Sequence, residues 1–422
     1  MSRSKNGNSP DSARVFRFNL TGLIVLCLCL IAGASFMTGK LAGARQQYAA
    51  GPAQYLPSPA EQDQGTSARQ GPWGELFTQD ITLERPAEYL NDELKTVQPP
   101  VWTFRGMNVT QVKALFVANG LTQPKAEKAL APDRASTRGT ETLFRPGEDF
   151  VFSLSPETRD RLYGAMRGLE VNLYLDSPYY YAKDHIEQMK GDARVHRDDL
   201  VLFKQLIYGG KDIRRFSDYE TLMGRIPTLE RRVAMAASLS RQEAVLARLC
   251  IRPDTDIDKV AMYWGSVPNV RFIDIRPMLE ALKWLPKGGT ISLMYLLPRF
   301  ARDRLYTFPS PPARGEPVPD CEWSTFNFSN VEPDNRFLDP AACLRYIDEN
   351  FYKIAQPALC GDVLLFKKDN GQIRHSAVYL ADDLVFTKTG KNYTTPWMIM
   401  HIADLQAVYS NCKISYLRRK TD

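Results

Sequence analysis

From Leu20 to Thr38 the chain runs nineteen residues without a charge, LTGLIVLCLCLIAGASFMT. Wound as a helix at about 1.5 Å per residue, such a run spans the roughly 30 Å hydrocarbon core of a bilayer. Arg3, Lys5, Arg14 and Arg17 precede it. That bias keeps the N-terminus inside, so residues 1–19 are expected as a cytoplasmic tail and the bulk of the chain as exported. Ala32-Gly33-Ala34 also fits a signal-peptidase site, so residues 20–38 serve either as a membrane anchor or as a cleaved signal. Residues 39–72 are rich in Ala, Gly, Gln, Ser and Pro, lack apolar periodicity, and read as a linker.

Beyond Trp73 helical spacing dominates. Asn108 and Gln111 form a capping box before VKALFVANG, which Gly120 closes. Ser155-Pro156 opens a helix through Arg167, and Ser240 with Glu243 reads as a second capping box, ahead of AVLARLCI. Residues 270–275 and 291–297 read as short strands. Residues 73–308 are therefore expected as a mixed, mainly helical region. PSPPARGEPVP, residues 309–319, marks a boundary, and the pattern changes after it.

In residues 309–422 a helix-compatible stretch follows Cys321, and Asp339-Pro340 caps a second helix, AACLRYIDENFYKI. Gly361-Asp362 leads into an apolar strand, VLLF, and Asp369-Asn370-Gly371 supplies a hairpin turn. Residues 373–380 return as a strand carrying His375; Ala381-Asp382-Asp383 turns again, and 384–388 forms a third strand. LQAVY and KISYL read as further strands. The fold class expected is α+β: an antiparallel sheet with a helix-borne cysteine, after a mainly helical region.

Composition narrows the function. The 422 residues are 44% apolar and 24% charged, enough for a sizeable core, and the net charge of +6 is too small to argue for nucleic acid. Seven cysteines include no CxxC pair, which argues against structural zinc. Cys27 and Cys29 lie in the apolar run; Cys250, Cys343, Cys360 and Cys412 pair in disulfides if exported, or stay reduced. His185 and His196 share no helical face. Asp254, Asp256 and Asp258 begin like a calcium loop, but Lys259 and Gly265 stand where glycine and glutamate belong, so they read as caps and turn residues. With no phosphate-cradling glycine loop, HExxH or GxSxG, neither cofactor nor metal is expected.

Cys321 and His375 are the chemistry-bearing pair. A free thiol is mostly protonated at neutral pH, and a helix start together with an imidazole favours the thiolate. The imidazole then protonates the leaving amine while a third polar group holds its ring. Asp-Cys, then GDVLLF, then HSAVYLADDLVF resembles the NlpC-type cysteine peptidases, the cell-wall branch of the papain-like fold, over roughly residues 316–410. The resemblance implies Cys321 as nucleophile, His375 as base and Thr387 as the third residue; threonine is a poor imidazole orienter, and Lys388, Asn392 or His401 stand as alternatives, or the third place is unfilled. Glu322-Trp323 after the cysteine is closer to the related CHAP amidases. Together with the apolar segment 20–38, the resemblance implies a membrane-held cysteine hydrolase of amide bonds in peptidoglycan stem peptides. Two alternatives stay open: an acyl or amide transferase with the same dyad, and an inactive wall-binding or scaffold module.

Overall fold

A computed structural model describes residues 67–169, 171–210, 213–311, 316–357 and 359–420. The expected tail, the apolar segment 20–38 and nearly all of the expected linker lie outside these residues. Among the described residues no helix is long and apolar enough to cross a membrane.

Mixed helix and sheet make the chain α+β. The first hairpin, β1 (Ser67–Gly71) and β2 (Gly74–Leu83), turns at Gly74, whose φ of 97° suits glycine alone. Two small antiparallel sheets follow among helices. One is built from β3 (Trp102–Arg105), β4 (Ala135–Arg138) and β5 (Glu141–Phe144). The other comprises β6 (Tyr179–Ala182), β7 (Tyr208–Gly209) and β8 (Ile213–Phe216). Residues 90–239 gather around one core that includes Trp102, Phe104, Phe116, Phe144, Tyr163 and Phe203. Then β9 (Gln242–Ile251) pairs antiparallel with β2 over nine residues, and β10 (Gly289–Ser292) with β9.

The C-terminal sheet has six antiparallel strands in the order β11-β16-β12-β13-β14-β15. They are β11 (Phe351–Ile354), β12 (Val363–Lys367), β13 (Ile373–Ala381), β14 (Leu384–Lys388), β15 (Trp397–His401) and β16 (Lys413–Arg419). Alternation divides its two faces. Val378, Leu380, Leu384 and Phe386 pack with Trp323 and Phe326, whereas Leu364, Phe366, Ala377, Tyr379 and Val385 pack with Ala244 and Leu405.

The proline-rich stretch 309–319 does not divide the core. Leu76, Leu249, Trp264 and Phe300 before it share one buried cluster with Trp323, Val378, Phe386 and Trp397 after it. The described residues fall within one compact unit, Asp63–Asp422.

Several local expectations are met. Asn108 Oδ1 accepts the Gln111 N–H and Gln111 Oε1 accepts the Asn108 N–H, each at 2.9 Å, opening the helix Val109–Ala118. Asn108→Ala is expected to cost about 1 kcal/mol, read as a lower melting temperature with unchanged far-ultraviolet circular dichroism. Ser155 caps Pro156–Met166, and Asp339 caps Pro340–Asn350. Asp256 caps Ile257–Trp264, and Asp258 pairs with Arg276.

Other segments differ from expectation, for reasons of long-range packing. Ser240 starts no helix: its hydroxyl donates to the Ala237 carbonyl at the end of Leu229–Leu239, and AVLARLCI is the interior of β9. Ladder pairing to β2 outweighs the local capping signature there. Residues 270–275 enter the helix Phe272–Lys283, where Ile275 and Leu279 are buried one turn apart. Of 291–297, only the start is strand; Leu293–Leu296 is a 3-10 turn. FYKI leaves its helix to become β11, and LQAVY falls in the helix Ile402–Val408 and its C-terminal end.

Candidate active site

Asp320 sets up the cysteine. Its backbone is extended, and its Oδ1 accepts the Trp323 N–H at 2.9 Å, starting the helix Cys321–Asn327. Trp323 then packs against Phe300 and Trp397, with ring centroids 5.1 and 6.3 Å away. The Trp397 indole N–H donates to Ser324 Oγ at 2.8 Å, tying the helix to β15. These contacts fix the half-buried Cys321 against β13, with the backbone N–H of Ser376 on the side of its sulfur.

The sheet is open at this point. The β13–β14 ladder runs only from Val378 to Ala381 on the β13 side, although β13 begins at Ile373 and β14 continues to Lys388. On the next strand pair the ladder is complete through Lys388. A side-chain bond spans the gap: His375 Nε2 and Thr387 Oγ1 lie 2.7 Å apart. The His375 ring stacks on Tyr409, with centroids 4.4 Å apart and planes 13° apart, and meets Phe366 edge-on. Its Nδ1 is buried and has no hydrogen-bond partner, and the same holds for Ser376 Oγ. His375 and Thr387 are thus joined; among the described residues no hydrogen bond links Cys321 to His375.

Electrostatics keep both groups neutral at rest. Burial, reinforced by the carboxylates of Asp320 and Glu322, pushes the Cys321 thiol up to about 12, while the Ser376 donors pull the other way. Burial, with Lys388 adding to it, pushes the His375 imidazole down to about 3. Glu322 is raised to about 7 by its own burial and by Asp320.

The three substitutes for Thr387 are otherwise engaged. Lys388 is buried on the alternate side of β14, and its Nζ donates to the carbonyls of Gly390 and Asn392 and to Thr395 Oγ1, at 3.1, 2.6 and 3.1 Å. Burial lowers it to about 7, opposed by Asp320 and Cys321. Asn392 Oδ1 accepts the N–H and hydroxyl of Thr394. His401 sits at the far end of β15, with Nδ1 3.0 Å from Asp383 Oδ1.

Residues 85–219 brace the loop that Lys388 anchors. The Tyr393 hydroxyl donates to Glu93 Oε1 at 3.1 Å and shares a 3.1 Å hydrogen bond with Tyr174. Tyr219 donates to the same Glu93 oxygen, Arg85 pairs with its other oxygen at 2.7 Å, and the Arg85 guanidinium lies 5.0 Å from the Tyr393 ring centroid. The Lys391 N–H donates to Ser177 Oγ, and the Lys391 ammonium stands 3.9 Å from Asp320.

Sequence reasoning missed Ser376, Tyr409 and this brace. Ser376 was readable as the neighbour of His375, and Tyr409 lies in the segment read as a strand. Among the described residues no group of three or more His, Cys, Asp or Glu side chains is placed to hold a metal. None of the five described cysteines is in a disulfide. No family model, no curated protein and no solved structure matches this chain.

Proposed function

We propose that the C-terminal sheet and the Cys321 helix form a papain-like cysteine hydrolase that cleaves an amide through a thioester. The observation that carries this reading is that the Cys321 helix packs against β13, the strand that bears His375, whose Nε2 is held by Thr387 while its Nδ1 has no hydrogen-bond partner. A base held at one nitrogen and free at the other is what nucleophilic cysteine catalysis requires.

In this mechanism the Cys321 thiol passes its proton to Nδ1 as the sulfur attacks the substrate carbonyl. The imidazolium returns the proton to the departing amine, leaving an acyl-thioester on Cys321. His375 next takes a proton from water, hydroxide adds to the thioester, and the carboxylic acid leaves as the thiol is restored. Burial raises the thiol and lowers the imidazole, so at rest the proton stays on sulfur and both groups are neutral.

The substrate reading, amide bonds in peptidoglycan stem peptides, rests on the resemblance to the NlpC-type peptidases and on export by residues 20–38. A transferase would use the same thioester with an amine in place of water. With purified cell wall as substrate, Cys321→Ala is expected to lower the release of new amino groups by about 1,000-fold or more. Undiminished release by Cys321→Ala would remove Cys321 from the reaction. For topology, a C-terminal reporter active only in the cytoplasm should be silent, and an active one would rule out export.

The raised Cys321 thiol and the braced loop favour one second reading, a wall-binding module without turnover. It predicts retained wall binding, no hydrolysis and a thiol that resists iodoacetamide at neutral pH.

A further inference from the structure

The helix Phe272–Lys283 is apolar on two sides. Ile275 and Leu279 face the core and are buried. On the opposite side, at steps of four, four and three residues, stand Ile273, Pro277, Ala281 and the capping residue Trp284, all exposed. Trp284 is 80% exposed and Ile273 63%. Leu285 and Pro286 carry the same surface into the turn before β10. On the neighbouring helix Ile257–Trp264, Met262 is 59% exposed and lies one turn beyond Asp258, which pairs with Arg276. Single exposed apolar residues are ordinary on a protein surface, whereas an aligned run ending in a nearly bare tryptophan marks a surface that something covers.

We propose that this face docks on a lipid bilayer, with Trp284 and Leu285 seated at the level of the headgroups. The proposal goes beyond the hydrolase reading and shares with it only the reading of residues 20–38 as a membrane segment.

The chemistry of the tip favours lipid. Trp284-Leu285-Pro286-Lys287 joins an amphipathic ring to apolar side chains and a cation, and an indole gains most where an apolar body meets a wet boundary. Charge agrees with this. Asp274 is held by Arg271 at 2.7 Å, Asp258 and Glu280 are held by Arg276 at 2.6 and 2.8 Å, and Asp256 caps its own helix. Lys283 and Lys287 bracket the tip, and neither has a carboxylate partner among the described residues; the Lys283 ammonium donates to the Thr255 carbonyl at 2.8 Å. Asp254, one residue before Thr255, is exposed and opposes them. The bracketing lysines suit anionic headgroups.

Connectivity supplies the third argument. Residues 39–66 alone join the apolar segment to Ser67, and a stretch of that length reaches at most about 100 Å when fully extended. Ser67 opens β1, in the same four-stranded sheet as β10, the strand that follows the Trp284 turn. A small apolar surface binds lipid weakly alone, but covalent attachment to the same bilayer raises its effective concentration, and two weak signals together make a stable contact. The tether limits distance and leaves orientation free; the second contact sets it.

The test is tryptophan fluorescence of the full-length chain with an excess of phosphatidylcholine–phosphatidylglycerol vesicles, with and without bromine on the acyl chains. No tryptophan precedes Trp73, so the apolar segment is silent, and the five tryptophans other than Trp284 are buried or half-buried. The Trp284 emission, taken as wild type minus Trp284→Phe, is expected to shift to the blue on adding vesicles and to be quenched by the brominated chains. Ile273→Ser should reduce both changes. Equal quenching of wild type and Trp284→Phe overturns the proposal. So does a dimer in analytical ultracentrifugation that Trp284→Glu converts to monomer, because the face then belongs to a second copy of the chain. Extraction with alkaline carbonate judges the membrane segment separately: a chain that is released fails that reading, while the quenching difference still decides the docking face.

Discussion

Lowering the pH from 6.5 to 3 is expected to remove about 4 kcal/mol of folding stability through His375 alone. Its imidazole is fully buried, and burial holds it at about 3 in the folded protein against the ordinary 6.5. Above pH 6.5 the ring is neutral whether the chain is folded or not, and it contributes no pH dependence. Below that, the unfolded chain takes up a proton that the folded chain refuses, so stability falls with each unit until the folded value is reached. Carboxylates add their own acid sensitivity, and a variant is needed to isolate the histidine. His375→Gln keeps a group able to bond Thr387 and cannot titrate. Urea midpoints measured at pH 7, 5 and 4 should converge: the wild type loses more than the variant at each step. Parallel lines for the two proteins would show that the ring is protonated in place, and the burial argument would fall.

The second large effect lies far from the sheet. Arg159 and Asp218 are a buried ion pair, Nε to Oδ2 at 3.0 Å, inside the core of residues 90–239. The Arg159 guanidinium also donates to the Val151 and Gln205 carbonyls, and the Tyr163 hydroxyl donates to Asp218 Oδ1 at 2.6 Å. Removing one member leaves the other charge buried without its counter-ion. Asp218→Ala is expected to cost about 3–5 kcal/mol. Asp218→Asn, which keeps one carbonyl oxygen to accept from Tyr163 or from Arg159 but not from both, should cost less than alanine. Chemical denaturation with a circular-dichroism readout measures both. A loss below about 1 kcal/mol for the alanine variant would mean that water or a rearranged neighbour takes over Arg159.

Both predictions concern buried polar groups, and these were the least legible features of the sequence. The turns of the C-terminal sheet were readable because they are local: Asp369-Asn370-Gly371 and Asp382, at φ 54°, mark strand ends by their own backbone preferences. Asn108, Ser155 and Asp339 announced helices for the same reason. Cys321, His375 and Thr387 were read from the resemblance to the NlpC-type peptidases, and the last two are joined by a hydrogen bond. What misled is equally specific. Ser240 and Glu243 have the spacing of a capping box, but the pairing that makes 242–251 a strand comes from residues 75–83, far away in sequence. Glu93, Tyr174, Tyr219 and Tyr393 carry no local sign of meeting. Their encounter depends on how the helical region lies against the sheet, which hydrophobic periodicity does not encode.

The core that continues across residues 309–319 has a consequence for what a protease would make of this protein. Ser310 and Pro311 are exposed, and a cut beside them severs one covalent connection. It leaves untouched the buried contacts among Leu249, Trp264, Phe300, Trp323, Val378 and Trp397. The nicked chain should therefore behave as a heterodimer of two fragments, co-eluting as one particle and separating only in denaturant. Either fragment expressed alone would expose half of an apolar interface, and the two would be soluble only when made together.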